Sequence, residues 1–230
     1  MSSTLAVLMC DTLVRSFDAI TNINWLELIK ALAPVATAFI AFCALKNWKR
    51  QDKAKREVEF LDSLLEVTHA FIEEMSNPIT FMSFVKSDMN SYKASLESNG
   101  DEFKVKENLG AISYIQKRGA KDAEYLRSML EAARPSVIKL RSLAEKGQIF
   151  NFNGYAKCQN AVKVLTGQFT RLEAFMSVIR LQDSNWGTPE VTKLLKGVTE
   201  VDESEMILKI DYSKVTIINF VRDSFKGIYS

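Results

Sequence analysis

The side chains able to do acid, base, nucleophile or metal chemistry are few and scattered. His69 is the only histidine among 230 residues, so a histidine-based triad would have to use it, and its place between Thr68 and Ala70 in a helical pattern reads as a surface or satisfied histidine. Paired carboxylates can serve as acid and base or hold a metal. Glu73 and Glu74, however, are adjacent and point about 100° apart on a helix, which suits a solvated surface better than a shared site. Cys10, Cys43 and Cys158 are too few and too far apart for a disulfide framework or a metal cluster, and fit a reducing compartment. There is no phosphate-binding glycine loop, HExxH, CxxC or GxSxG elbow. The reading is therefore a non-enzymatic protein with no catalytic residue, cofactor or metal. An enzyme whose acids converge only in three dimensions is kept as an alternative.

The stretch that demands a special environment is Trp25 to Trp48, WLELIKALAPVATAFIAFCALKNW. No residue from Ala31 to Leu45 is charged, and a helix over the whole stretch would be about 36 Å long, enough for a hydrocarbon core of about 30 Å. Trp25 and Trp48 would sit at the two headgroup levels, where an indole has both an apolar surround and water. Glu27 and Lys30 shorten the uncharged run, and being three apart they can pair on one face. The competing reading is a core helix of a soluble protein. Lys46, Lys49, Arg50, Lys53, Lys55 and Arg56 follow the stretch, against Arg15 and Lys30 before it. Positive residues stay inside, so the N-terminus is expected outside and the rest of the chain in the cytoplasm of a bacterium, anchored in the inner membrane. Trp25, Trp48, Lys46, Lys49, Arg50 and Lys53 are the expected contacts with the bilayer interface.

A net charge of +2 gives no reason to expect nucleic acid, and Asp52, Glu57 and Glu59 dilute the basic run without an aromatic stacking set beside it. A soluble helical nucleic-acid binder remains the outside alternative. A cleaved signal peptide is not expected, since the apolar core starts late and no basic segment precedes it. Phe42 before Cys43 is too large for a lipoprotein cleavage site. Ala33, Thr37 and Ala41 recur every four residues, with Ala44 near the same face. Small residues at this spacing let membrane helices approach closely, which leaves a homo-oligomer open.

Three parts follow: a short amphipathic extracytoplasmic segment over 1–23, the transmembrane helix over 24–47, and a cytosolic helical bundle over 48–230 with a subdivision possible near 150. A continuous helix is expected from Asn24 to Met75. Asn77-Pro78 reads as a stop and restart, with the next helix folding back as far as Glu97. Ser98 to Asp101 reads as a loop. A third helix spans Phe103 to Ala133, weakened by Gly119 and ended or kinked by Pro135, with a continuation to Lys146 that Gly147 terminates. Asn151 to Gly154 is a turn, Val162 to Ile179 the clearest amphipathic helix, and Thr188-Pro189 opens a short helix to Lys196. The last thirty residues fit a helix better than a hairpin, which would have no partner strand. The fold class is all-α: one N-terminal transmembrane helix continuing into a cytosolic antiparallel bundle.

The segment WLELIKALAPVATAFIAFCALKNWKRQDKAKREVEFLDSLLEVTHAFI resembles a diffuse group of uncharacterised bacterial proteins anchored by a single membrane helix. It shares with them the membrane helix, a W-K-x-Q-type junction at Trp48 to Gln51 and a FLDxLLExxHxFI-like helix at Phe60 to Ile72. The resemblance covers the first third of the chain and carries no catalytic residue. Proteins of this outline often occur in bacterial accessory regions, some beside anti-phage systems, which implies a membrane tether or an effector. The leading expectation is a membrane-anchored protein that docks an unidentified cytosolic protein. The second is an anti-phage effector that oligomerises through its membrane helix and disrupts the bilayer.

Overall fold

A computed structural model describes residues 25–98 and 108–229. Among them the backbone is helical with no strand. In order come α1 (Trp25–Ser98), α2 (Leu109–Tyr114), a π-turn (Ile115–Gly119), α3 (Ala120–Lys146), a 3₁₀ turn (Gly147–Phe150), α4 (Tyr155–Ile179), α5 (Pro189–Thr199) and α6 (Glu203–Tyr229). The all-α expectation holds. The segment 1–23, the loop after Ser98 and the expected start of the third helix at Phe103 lie outside the described residues. The chain divides into two compact units, Met1–Lys55 and Arg56–Ser230.

In the first unit α1 presents its side chains to the outside from Leu32 to Lys49 without exception. In the second unit α1 does not stop at Asn77. It runs through Pro78 to Ser98, which corrects the expected break and fold-back. Phe71, Met75, Pro78, Met82, Val85 and Met89 are all buried, and their spacing of four, three, four, three, four keeps one face in register across the proline. Proline inside a helix costs about 3 kcal/mol. Burying Met75, Ile79 and Met82 on either side returns about 1.5–3 kcal/mol each, so the helix continues.

The same outcome recurs at Pro135, which lies inside α3. Its ring is exposed while Leu130, Ala133, Val137 and Leu140 are buried, so the carbonyl of Glu131 that loses its donor is on the watered side. Lys146 ends the helix as expected, but Gly147 has φ −63° and is not a left-handed cap. It is glycine because a Cβ there would lie 2.1 Å from the Tyr155 hydroxyl and 2.6 Å from the Phe60 ring. The left-handed residues are Asn151 (φ 53°) and Gly154 (φ 73°), which close the turn expected there.

Contacts fix the helix directions. Phe60 stacks on Phe152 just before α4 and meets Tyr155, its first residue, edge to face, Phe81 meets Tyr125 at 4.9 Å, and Tyr92 meets Tyr114 at 5.9 Å. Each step along α1 is thus matched by a step back along α3 and α2. Arg134 reaches Glu173 and Tyr155 reaches Ala144, which sets α3 and α4 antiparallel. Arg171 with Glu205 and Tyr155 with Phe220 do the same for α4 and α6. The second unit is an up-and-down bundle of long helices. All six apolar positions read in α4, Val162, Leu165, Phe169, Leu172, Phe175 and Ile179, are buried. Trp186 packs against the core from the α4–α5 loop, and α6 is a helix throughout.

Candidate membrane-facing segment

Among the described residues of the first unit, the apolar side chains of α1 are left uncovered. Ile29, Leu32, Val35, Phe39, Ile40, Phe42, Leu45 and Trp48 are between 49% and 67% exposed. At about 100° per residue they point in every direction: Ile29 and Ile40 one way, Leu45 opposite, Trp48 and Phe39 to the two sides. A surface helix would be apolar on one stripe only.

The expected interface residues are placed as follows. Trp25 lies in the first turn of α1; Lys46, Trp48, Lys49, Arg50 and Lys53 are exposed. Lys46, Lys49, Arg50 and Lys53 fall within an arc of about 100°, with Trp48 on the other side. Lys53, Lys55 and Arg56 each have an interaction partner, so the basic run is partly engaged within the chain. Ala33, Thr37, Ala41 and Ala44 are exposed and share an arc of about 80°. The Thr37 hydroxyl donates to the Ala33 carbonyl at 2.8 Å, which satisfies it within the helix and leaves a smooth face of small groups.

Among the described residues no helix is long and apolar enough to cross a membrane. The uncharged run Ala31 to Leu45 measures only about 22 Å at 1.5 Å per residue, and Lys30 and Lys46 bound it.

Elsewhere the groups with chemical potential are dispersed. Among the described residues no three of His, Cys, Asp and Glu come together as metal ligands. His69 is exposed. Glu73 and Glu74 both border a cavity beside α3, with Asn77 and Met129, so the two carboxylates are closer in environment than their adjacency suggested. Cys158 is fully buried, and burial pushes its thiol up to about 12.

One polar cluster had no forewarning in the sequence. Tyr114, with no exposed surface, donates its hydroxyl to Asp122 Oδ2, and Arg118 bridges Asp122 at 3.8 Å and Asp88 at 3.0 Å. Burial and the neighbouring Asp122 carboxylate hold the Tyr114 hydroxyl well above the usual phenol range. The π-turn at Ile115–Gly119 shifts the helix register and sets Tyr114 and Asp122 on the same side. A Cβ on Gly119 would lie 2.1 Å from the Ile179 carbonyl oxygen. The one available signal was Gly119 itself, read only as a weakness.

No family model matches the chain, and no curated protein or solved structure does.

Proposed function

We propose that the chain is a non-enzymatic bacterial inner-membrane protein whose Trp25 to Trp48 segment lies in the bilayer, N-terminus outside, and whose helical bundle docks a partner protein on the cytoplasmic side. The observation that carries the membrane part is the all-round exposure of apolar side chains from Ile29 to Trp48. An apolar stripe would call for one partner helix, whereas an apolar cylinder calls for a surround. The shortness of the uncharged run is met by Lys30 and Lys46, whose four-carbon stems reach from within the hydrocarbon to the headgroups. The charge asymmetry across the segment supports the orientation.

Docking is supported by α6. Leu208, Tyr212 and Val215 are 68%, 76% and 54% exposed, and their spacing of four and three sets them in one row. Such a row suits a helix-in-groove or helix-on-helix contact. The test of the whole reading is membrane fractionation followed by cross-linking. The chain should resist carbonate extraction, and a photo-cross-linker at Tyr212 should trap a protein that one at exposed Lys139 does not. Recovery in the soluble fraction would sink the membrane part, and equal trapping at both positions would sink the docking part.

The small-residue face at Ala33, Thr37, Ala41 and Ala44 favours a second reading, an anti-phage effector that self-associates through the segment and permeabilises the bilayer. Overexpression should then depolarise cells, and Ala33→Leu with Ala41→Leu should relieve it. Normal membrane potential under phage challenge counts against that reading.

A further inference from the structure

The turn before α4 sets two reactive groups side by side. Asn153 and Gly154 are both exposed, and Gly154 takes the left-handed conformation at φ 73°. The N–H groups that follow are spent: Tyr155 donates to the Phe152 carbonyl at 3.3 Å and Lys157 to the Gly154 carbonyl at 3.1 Å. Among the described residues the Gly154 N–H has no acceptor and the Asn153 side-chain amide has no partner. A Cβ on Gly154 would meet nothing within 4 Å, so the space around its nitrogen is open.

Asparagine is a thermolabile residue, and its side chain reacts where the next backbone nitrogen is free to reach it. We infer that Asn153 is a modification site at which the chain deamidates without an enzyme. The Gly154 nitrogen loses its proton to solvent base and attacks Asn153 Cγ. The Cγ–Nδ2 bond breaks, and Nδ2 takes a proton from water and leaves as ammonia, closing a succinimide. Water then opens the ring. Breaking the bond from the Gly154 nitrogen to Cγ gives aspartate, and breaking its bond to the Asn153 carbonyl carbon gives isoaspartate. Water is the co-reactant, and nothing is oxidised or reduced.

Other asparagines of the bundle lack one requirement or another. Asn77 precedes Pro78, which has no N–H. Asn160 and Asn219 lie inside α4 and α6, where the next N–H is held by the helix. Asn185 has its Oδ1 engaged by the Gly187 N–H at 3.2 Å. Asn151 precedes Phe152, whose ring is stacked on Phe60 at 5.7 Å. Either product at Asn153 puts a negative charge beside the N-terminus of α4, where the helix end attracts it, in a stretch with no Asp or Glu between Glu145 and Glu173. Isoaspartate also lengthens the backbone between Phe152 and Tyr155, both of which pack against Phe60 and Phe220. The turn thus changes charge, and in one product length, as the molecule ages, wherever the chain resides.

The test ages the purified full chain in detergent at mildly alkaline pH, then digests it with trypsin for mass spectrometry. Cleavage after Lys146 and Lys157 releases 147–157, apart from the other Asn-Gly pair at Asn99, and fragmentation distinguishes Asn153 from Asn151. The amide should be lost at Asn153, giving two chromatographically separate acid forms. Its rate should lie within about fivefold of that in a synthetic 147–157 peptide, the factor that one held hydrogen bond would introduce. Asn151 should stay intact, and Asn153→Gln should keep its amide over the same period, since the longer side chain closes the ring poorly. A folded chain that retains Asn153 while the peptide converts, conversion at Asn151 as fast as at Asn153, or no conversion in either sample overturns the inference.

Discussion

Gly147→Ala is the sharpest test of how the bundle is closed at the Phe60 end. Gly147 has helical backbone angles, so alanine is conformationally acceptable there and would by itself stabilise by about 0.4–1 kcal/mol through the unfolded chain. Against that, the new methyl would sit 2.1 Å from the Tyr155 oxygen, 2.2 Å from its ring carbon and 2.6 Å from the Phe60 ring. All three are parts of rigid rings, which cannot yield as a flexible side chain would. Overpacking of this kind costs about 1–3 kcal/mol. Moving the Tyr155 ring also breaks its bond to the Ala144 carbonyl, about 1 kcal/mol more. The net loss is about 1–3.5 kcal/mol, or about 2–14 °C in Tm for a domain of this size. The assay is thermal unfolding of the full chain in detergent by far-ultraviolet circular dichroism. Gly167→Ala is the control: it lies inside α4, where a Cβ would meet nothing within 4 Å, and should gain about 1 kcal/mol. A Gly147→Ala chain melting at or above the parent, beside the expected gain at Gly167, would refute the packing argument.

At Gly119 the obstacle is the Ile179 carbonyl oxygen 2.1 Å away, which is backbone, so Gly119→Ala should cost more than Gly147→Ala and separate α4 from the π-turn; thermal unfolding of the two variants side by side checks the order. Tyr114→Phe leaves Asp122 without its hydroxyl donor, and should cost about 1–3 kcal/mol by chemical denaturation; a neutral result would mean that Arg118 alone satisfies the carboxylate. For Cys158 the folded thiol is pushed up to about 12, above an unfolded value of about 8.5. The stability this contributes is complete below about pH 8.5 and is lost as pH rises towards 12. Cys158→Ala should flatten the alkaline loss of stability over that window, and native Cys158 should resist maleimide at neutral pH; rapid native labelling would contradict its burial.

What the sequence displayed clearly was periodicity. The α4 row from Val162 to Ile179 needed no tertiary information, because Val162, Leu165, Phe169, Leu172, Phe175 and Ile179 recur at helical spacing on one face. Local breakers misled. Pro78 and Pro135 look like stops, and each would be one in an isolated helix, but the apolar face continues in register beyond them and burial outweighs the lost hydrogen bond. The glycines misled in the opposite way. Gly119 and Gly147 are there because another element comes close, which is a property of the folded bundle that local propensity does not contain. The Tyr114–Asp122 pair was hidden for the same reason: eight residues is not a helical repeat that joins two side chains until a π-turn changes the register.

The first unit sets a different problem, and its geometry constrains the answer. If the exposed apolar side chains between Lys30 and Lys46 were covered in water by a second copy, that copy would present its own far side, equally apolar, to the solvent. A third and fourth copy repeat the difficulty, because a helix that is apolar in every direction always leaves an outward surface when it is bundled with its like. A surround that is itself apolar would end the sequence. The proposed bilayer does so, and it also gives the small-residue arc at Ala33 to Ala44 a limited role: one face can meet another helix while the remaining faces meet lipid. Under that proposal, self-association through the arc would require membrane placement first. A chain that oligomerised through this arc while staying in the aqueous phase would contradict the whole line of reasoning.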